Sequence, residues 1–152
     1  MKKAVLIGLA AVACSGVAGA QKFSVGGGIS GSAGSGSAAQ LGFSINLGVD
    51  DLARLGPIGV DARLDVDGTL VSSTLGLSLG AAVMGTFGIS GVTVYAGPRV
   101  VYAISPVSSF GFGAILGARY SIAAGISAYA EGKFLFSPAF AWAVGVGARF
   151  SF

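Results

Sequence analysis

The chain has 152 residues, enough for one domain at most, and is 53% apolar and only 10% charged, where ordinary soluble domains are roughly 25% charged. So little charge excludes an ordinary water-soluble surface, and its aromatic and β-branched residues exclude a disordered chain. With no His anywhere, Ser-His triads, histidine-dependent outer-membrane phospholipases and acyltransferases, and most zinc sites are excluded as well.

From the N-terminus, Lys2 and Lys3 form a positive n-region, Ala4–Ala13 an apolar run, and Ala18-Gly19-Ala20 a small-residue cleavage site. This pattern predicts a secretory signal peptide over residues 1–20 and a mature domain over 21–152. The run is shorter than the ~20 residues a membrane-spanning helix needs. Ala11-Val12-Ala13-Cys14 is a loose lipoprotein box, with Ala11 where Leu is usual, so processing before Gln21 or at Cys14 stays open. Cleavage before Gln21 removes the single Cys, and no disulfide framework remains. It also removes Lys2 and Lys3, so nine basic residues become seven against six acidic ones, a net charge of +1. No basic run is left to bind nucleic acid.

The rest alternates with a period of two. Phe23, Val25 and Ile29 open it. Leu41, Phe43, Ile45, Leu47 and Val49 then alternate with Gly42, Ser44, Asn46 and Gly48. Ile58, Val60, Ala62, Leu64 and Val66 alternate with Gly59, Asp61, Arg63, Asp65 and Asp67. Leu75, Leu77, Leu79, Ala81 and Val83 alternate with small residues from Thr74 to Ala82. The second half repeats the pattern around Val92–Ile104, Phe110–Tyr120, Ile126–Phe136 and Phe140–Phe152. A helix would scatter these residues around its axis, whereas a strand sorts them onto two faces. About eight strands are predicted, with no linker. Gly31–Ser37 reads as a Gly/Ser loop, Ser105–Ser109 and Ser137-Pro138 as tight reversals, and Asp50–Pro57 as a helical turn. Pro98 falls inside a strand, where its missing N–H predicts a bulge.

If the apolar face pointed inward, as in a lipocalin-like barrel, the outer face would be Gly, Ser, Ala and a handful of charges. The inverse assignment puts apolar residues against lipid and small or charged ones in a narrow lumen. No ionisable residue falls in the apolar register, where Lys or Arg would cost about 2–4 kcal/mol at mid-membrane. With both termini periplasmic, Tyr102, Phe110, Phe112, Phe134, Phe136, Phe140 and Trp142 gather at the outer rim. Phe23, Tyr120, Phe150 and Phe152 gather at the inner rim, giving two aromatic girdles.

The terminal run Val144-Gly145-Val146-Gly147-Ala148-Arg149-Phe150-Ser151-Phe152 resembles the closing strand of outer-membrane barrels. The whole mature chain resembles the small eight-stranded OmpA/OmpX-like group. That resemblance implies an all-β, transmembrane, antiparallel up-and-down barrel in the bacterial outer membrane, with membrane lipids around it. It also implies that Phe150 and Phe152 act as an assembly signal for the barrel-assembly machinery, with periplasmic chaperones as partners on the way. The chain departs from the group in lacking long external loops, which puts adhesion or receptor roles in doubt, and in lacking a peptidoglycan-binding domain. Oligomeric state is not legible.

The expected lumen network is Asp61, Arg63, Asp65, Asp67, Arg99, Arg119, Glu131, Lys133 and Arg149, four acids and five bases. Side chains fill an eight-stranded barrel, so these residues must pair with one another or with water. Glu131 is expected among Lys133, Arg119 and Arg149. Two readings follow: a salt-bridge plug with a structural role, or a polar thread that passes ions or water through a narrow pore. An open small-solute channel, a lipid- or partner-binding barrel and a Gly/Ala-rich helical membrane protein are the alternatives. Asp50-Asp51 reads as a solvated helix start rather than a metal pair, and Gly26-Gly27-Gly28 lacks the strand–helix context of a phosphate loop. No catalytic residue, metal site or cofactor is expected.

Overall fold

The computed structural model describes residues 21–34, 39–71 and 73–152. The expected signal peptide, its cleavage site and Cys14 lie outside the described residues. Eight strands follow one another: β1 Lys22–Gly34, β2 Gln40–Leu55, β3 Ile58–Val71, β4 Thr74–Ile89, β5 Val92–Ser105, β6 Ser109–Ala123, β7 Ile126–Ser137 and β8 Ala141–Ser151. Each pairs antiparallel with the next, and β1 pairs with β8 to close the barrel. The closure leaves no strand edge to cap. Among the described residues there is no helix, which overturns the helical alternative.

The period of two sorts the side chains as the alternation requires, and the barrel is inverted relative to a soluble one. The outer wall is apolar, with Leu64 57% exposed. The interior holds Asn46, Asp61, Arg63, Asp65, Glu131 and Arg149, all buried. A small apolar cluster of Ala82, Met84, Tyr95 and Ile115 fills one side of the bore. At one end Tyr102 pairs with Phe110 and Phe134 with Trp142, while Phe136 stacks on Phe140 with ring centres 6.5 Å apart. At the other end Phe152 exchanges two backbone hydrogen bonds with Phe23, at 2.9 and 3.1 Å.

The turns at the end where β1 begins and β8 finishes have two residues each: Gly56-Pro57, Ser90-Gly91 and Ala124-Gly125. Ser90 and Gly91 both have positive φ, 47° and 85°, the backbone of a type I′ hairpin turn that matches strand twist.

Three local expectations are corrected. Asp50–Leu55 is strand, not a helical turn: β2 continues to Leu55 through a bulge in which Asp50, Asp51 and Leu52 face the single Asp61 of β3. Pro98 brings no bulge. The β4–β5 register is unchanged on both sides of it, and pairing merely lapses at Val83 and Met84. The two strands come so close there that a Cβ on Gly97 would collide with the Val83 carbonyl oxygen. Of the expected Gly/Ser loop Gly31–Ser37, Gly31–Gly34 belong to β1; residues 35–37 lie outside the described residues.

Candidate functional site

The nine ionisable residues named above all sit on lumen-facing positions of β3, β5, β6, β7 and β8, and they form two separate groups. Asp61, Arg119 and Arg149 lie at the end where β1 begins and β8 finishes, joined by a fourth residue, Asp50. Arg149 Nη2 donates to Asp50 Oδ1 at 2.9 Å and to Ser24 Oγ at 2.6 Å. Arg119 Nη1 donates to Asp50 Oδ1 at 3.2 Å, and its Nη2 lies 3.3 Å from Asp61 Oδ2. Two carboxylates therefore balance two guanidiniums.

The second group is a closed ring of alternating sign. Arg63 Nε lies 2.9 Å from Asp65 Oδ1, and Asp65 Oδ2 lies 3.5 Å from Arg99 Nε. Arg99 bonds to Asp67, whose other oxygen accepts from Lys133 Nζ at 2.6 Å. Lys133 Nζ lies 3.3 Å from Glu131 Oε1, and Glu131 returns to Arg63 through bonds of 2.7 and 3.2 Å. Tyr95 adds a donor, its hydroxyl 2.9 Å from Glu131 Oε2. The ring takes its members from β3, β5 and β7, which are not neighbours in the sheet, so the four contacts between strands span the bore while Arg63–Asp65 and Lys133–Glu131 run along a strand. Between the two groups Asn46 Nδ2 donates to Tyr129 Oη at 3.3 Å. The Tyr129 ring has room because Gly28 and Gly147 lie beside it; a Cβ there would sit 2.7 and 2.6 Å from its hydroxyl oxygen.

Burial decides how these charges behave. An unpaired charge in a low-dielectric interior is penalised by several kcal/mol, whereas good geometry and full pairing offset that penalty. Both groups are internally neutral. Every Asp, Glu, Lys and Arg from residue 22 onward belongs to one of them, except the exposed Asp51–Arg54 pair beside the bulge, at 3.0 Å, and Lys22 at the first strand's end.

Two expectations about partners change. Glu131 pairs with Arg63, Lys133 and Tyr95, while Arg119 and Arg149 serve Asp50 and Asp61. Asp50, read as a solvated helix start, is buried in the lumen. Two signals pointed to it: the even-numbered register of Gly42, Ser44, Asn46 and Gly48 runs on to Asp50, and four acids against five bases left one cation without a counter-charge. Met84, Tyr95, Ile115 and Tyr129 were likewise legible as members of the inward register.

Beyond the ring, at the opposite end of the barrel, lies a cavity of about 300 Å³ lined by residues that include Asp67, Arg99 and Lys133. Among the described residues no group of three His, Cys, Asp or Glu could hold a metal ion.

No protein-family model matches the chain, and no curated protein sequence matches it. Among solved structures it is similar to Ail, the attachment invasion locus protein of Yersinia pestis. The TM-score is 0.58 at 14% identity, over 87% of this chain and 99% of that one. It is also similar to the outer membrane enzyme PagL, TM-score 0.65 at 13% identity, over 85% and 98%. The N-terminal β-barrel domain of Pseudomonas aeruginosa OprF gives TM-score 0.52 at 19% identity, over 85% and 97%. At these identities the likeness establishes the fold, that of the small outer-membrane barrels.

Proposed function

We propose that the chain is an integral protein of the bacterial outer membrane whose lumen is plugged by its own ion pairs, with a structural role and at most a narrow pore. The observation that carries this reading is the six-membered ring of alternating charge across the bore. Each member has two opposite neighbours, so opening a path between them strands buried charges. The apolar outer wall supports the membrane placement, since an aqueous wall of Leu, Ile, Val and Phe has no solvent to favour it. The similarity to Ail and OprF supports it too. Lipids then surround the wall, and the barrel-assembly machinery and periplasmic chaperones deliver the chain, with Phe150 and Phe152 as the assembly signal.

A catalytic role is not proposed, although PagL is an enzyme. The chain has no His, and among the described residues every lumen carboxylate is paired with a cation. Planar-bilayer recording of the refolded protein tests the reading. Silence or rare, small openings is the expected result; a steady, solute-permeable conductance would replace it with an open channel. The closed barrel is also expected to migrate differently on gels before and after heating.

A further inference from the structure

The six-membered ring is neutral as a whole but polarised along the barrel. Arg63, Asp65 and Glu131 keep 2% or less of their side-chain surface exposed, and together they set one cation against two carboxylates. Arg99, Lys133 and Asp67 keep 8%, 11% and 18% exposed and set two cations against one carboxylate. These three line the 300 Å³ cavity. Its floor is therefore net positive, and the compensating negative charge is buried beneath it.

Donors are left over on that floor. Arg99 turns Nη2 to Asp67 and Nε to Asp65, and among the described residues no side chain accepts from its Nη1. Lys133 Nζ meets Asp67 and Glu131 and keeps a third N–H. Ser30, Ser32, Gln40, Thr69 and Ser78 line the same space from β1, β2, β3 and β4. They sit on the lumen-facing register, Ser32 opposite Gln40 and Ser78 opposite Asp67, and each is a neutral donor. The remaining acids of the chain, Asp50, Asp51 and Asp61, stand at the other end of the barrel, so no further carboxylate opposes the floor.

We infer that this cavity is a binding site for a small oxyanion of the phosphate class, a role that goes beyond the plugged-barrel reading. A phosphate accepts hydrogen bonds through several oxygens, and here it meets cationic donors on one side and hydroxyl and amide donors around it. The lipid-facing wall is a low-dielectric sheath, which focuses the field of the floor into the cavity. A cation finds only Asp67, whose two oxygens are already held by Arg99 and Lys133. A neutral polyol gains nothing from the net charge.

The same chemistry arrives from two sources, free phosphate or a phosphate monoester headgroup in the surrounding leaflet. The barrel is refolded into phosphatidylcholine nanodiscs at low salt, where such attraction is least screened. In one arm inorganic phosphate is titrated; in the other the discs contain phosphatidic acid, and phosphorus NMR follows each resonance. A saturable shift or broadening is expected, reversed by sulfate and not by glucose. With inorganic phosphate it identifies a soluble source, and confined to the doped discs it identifies a headgroup. Gln40→Glu, nearly isosteric, sets a negative charge on the wall, leaves every ion pair of the ring intact, and should weaken binding about tenfold or more. Gln40→Lys should tighten it. If either variant fails to refold, Ser32→Asp and Ser32→Lys take their place. No response in either arm, the same effect from both signs of charge, or displacement by glucose as readily as by sulfate would overturn the assignment.

Discussion

Arg63 on β3 and Glu131 on β7, 68 residues apart in the chain, are joined across the bore by two hydrogen bonds of 2.7 and 3.2 Å. Their side chains are each only 2% exposed. Nothing in the local sequence of either strand identifies the other, yet the pair joins two walls of the barrel that share no ladder.

Removing one partner is therefore costly. Glu131→Ala leaves three cations against two carboxylates in the ring and is expected to destabilise the barrel by about 3–5 kcal/mol. The stranded positive charge should also favour anions in any residual leak. Combined with Arg63→Ala, the loss should fall well short of the sum of the single losses, while Glu131→Ala with Arg149→Ala should be additive within about 0.5 kcal/mol. Double-mutant cycles on unfolding in lipid, with single-channel recording alongside, test both. Coupling to Arg149 in place of Arg63 would contradict the network described here.

Asp50 and Asp51 are adjacent but should behave differently. Asp50→Ala leaves Arg149 and Arg119 short of a counter-charge and is expected to cost about 3 kcal/mol or more. Asp51 is paired only with exposed Arg54 and sits at φ 56°, where Gly is at least as comfortable. Asp51→Gly should therefore change stability by less than about 1 kcal/mol. Equal losses for the two would mean that Asp50 does not point into the lumen.

Leu64 separates a membrane barrel from a soluble one. On the lipid-facing wall Leu64→Arg should cost about 2–4 kcal/mol in liposomes. If water met this wall, the same change would be harmless and would improve solubility. Urea titration of the variant refolded into lipid vesicles measures the difference.

Phe152 is 77% exposed and follows the last strand, so truncating its side chain removes little packing. Its backbone pair with Phe23 survives substitution. Phe152→Ala is thus expected to lower the amount of assembled barrel in cells while leaving the unfolding free energy of refolded protein within about 0.5 kcal/mol of the original. Unchanged outer-membrane levels would remove the assembly role.

The number of strands, their two faces and the inversion of the barrel were determined by the sequence alone. A period of two is a local property, and a Lys or Arg in the lipid register is penalised wherever the strand stands. Asp61, Arg63, Asp65 and Asp67 could be placed in the lumen from β3 by itself. Charge balance even called for one further acid, and the even-numbered register of β2 runs on to Asp50. Only the tertiary structure decided which charges meet. Arg63, Arg99 and Glu131 come from strands that never pair, and their separation depends on barrel closure, register and tilt acting together. The same holds for Pro98. Its missing N–H predicts a bulge when β5 is considered alone, but with Gly97 beside it the strand approaches β4 closely and the ladder skips two pairs without shifting. Local periodicity dictates where each side chain points; the global closure of the sheet dictates what it finds there.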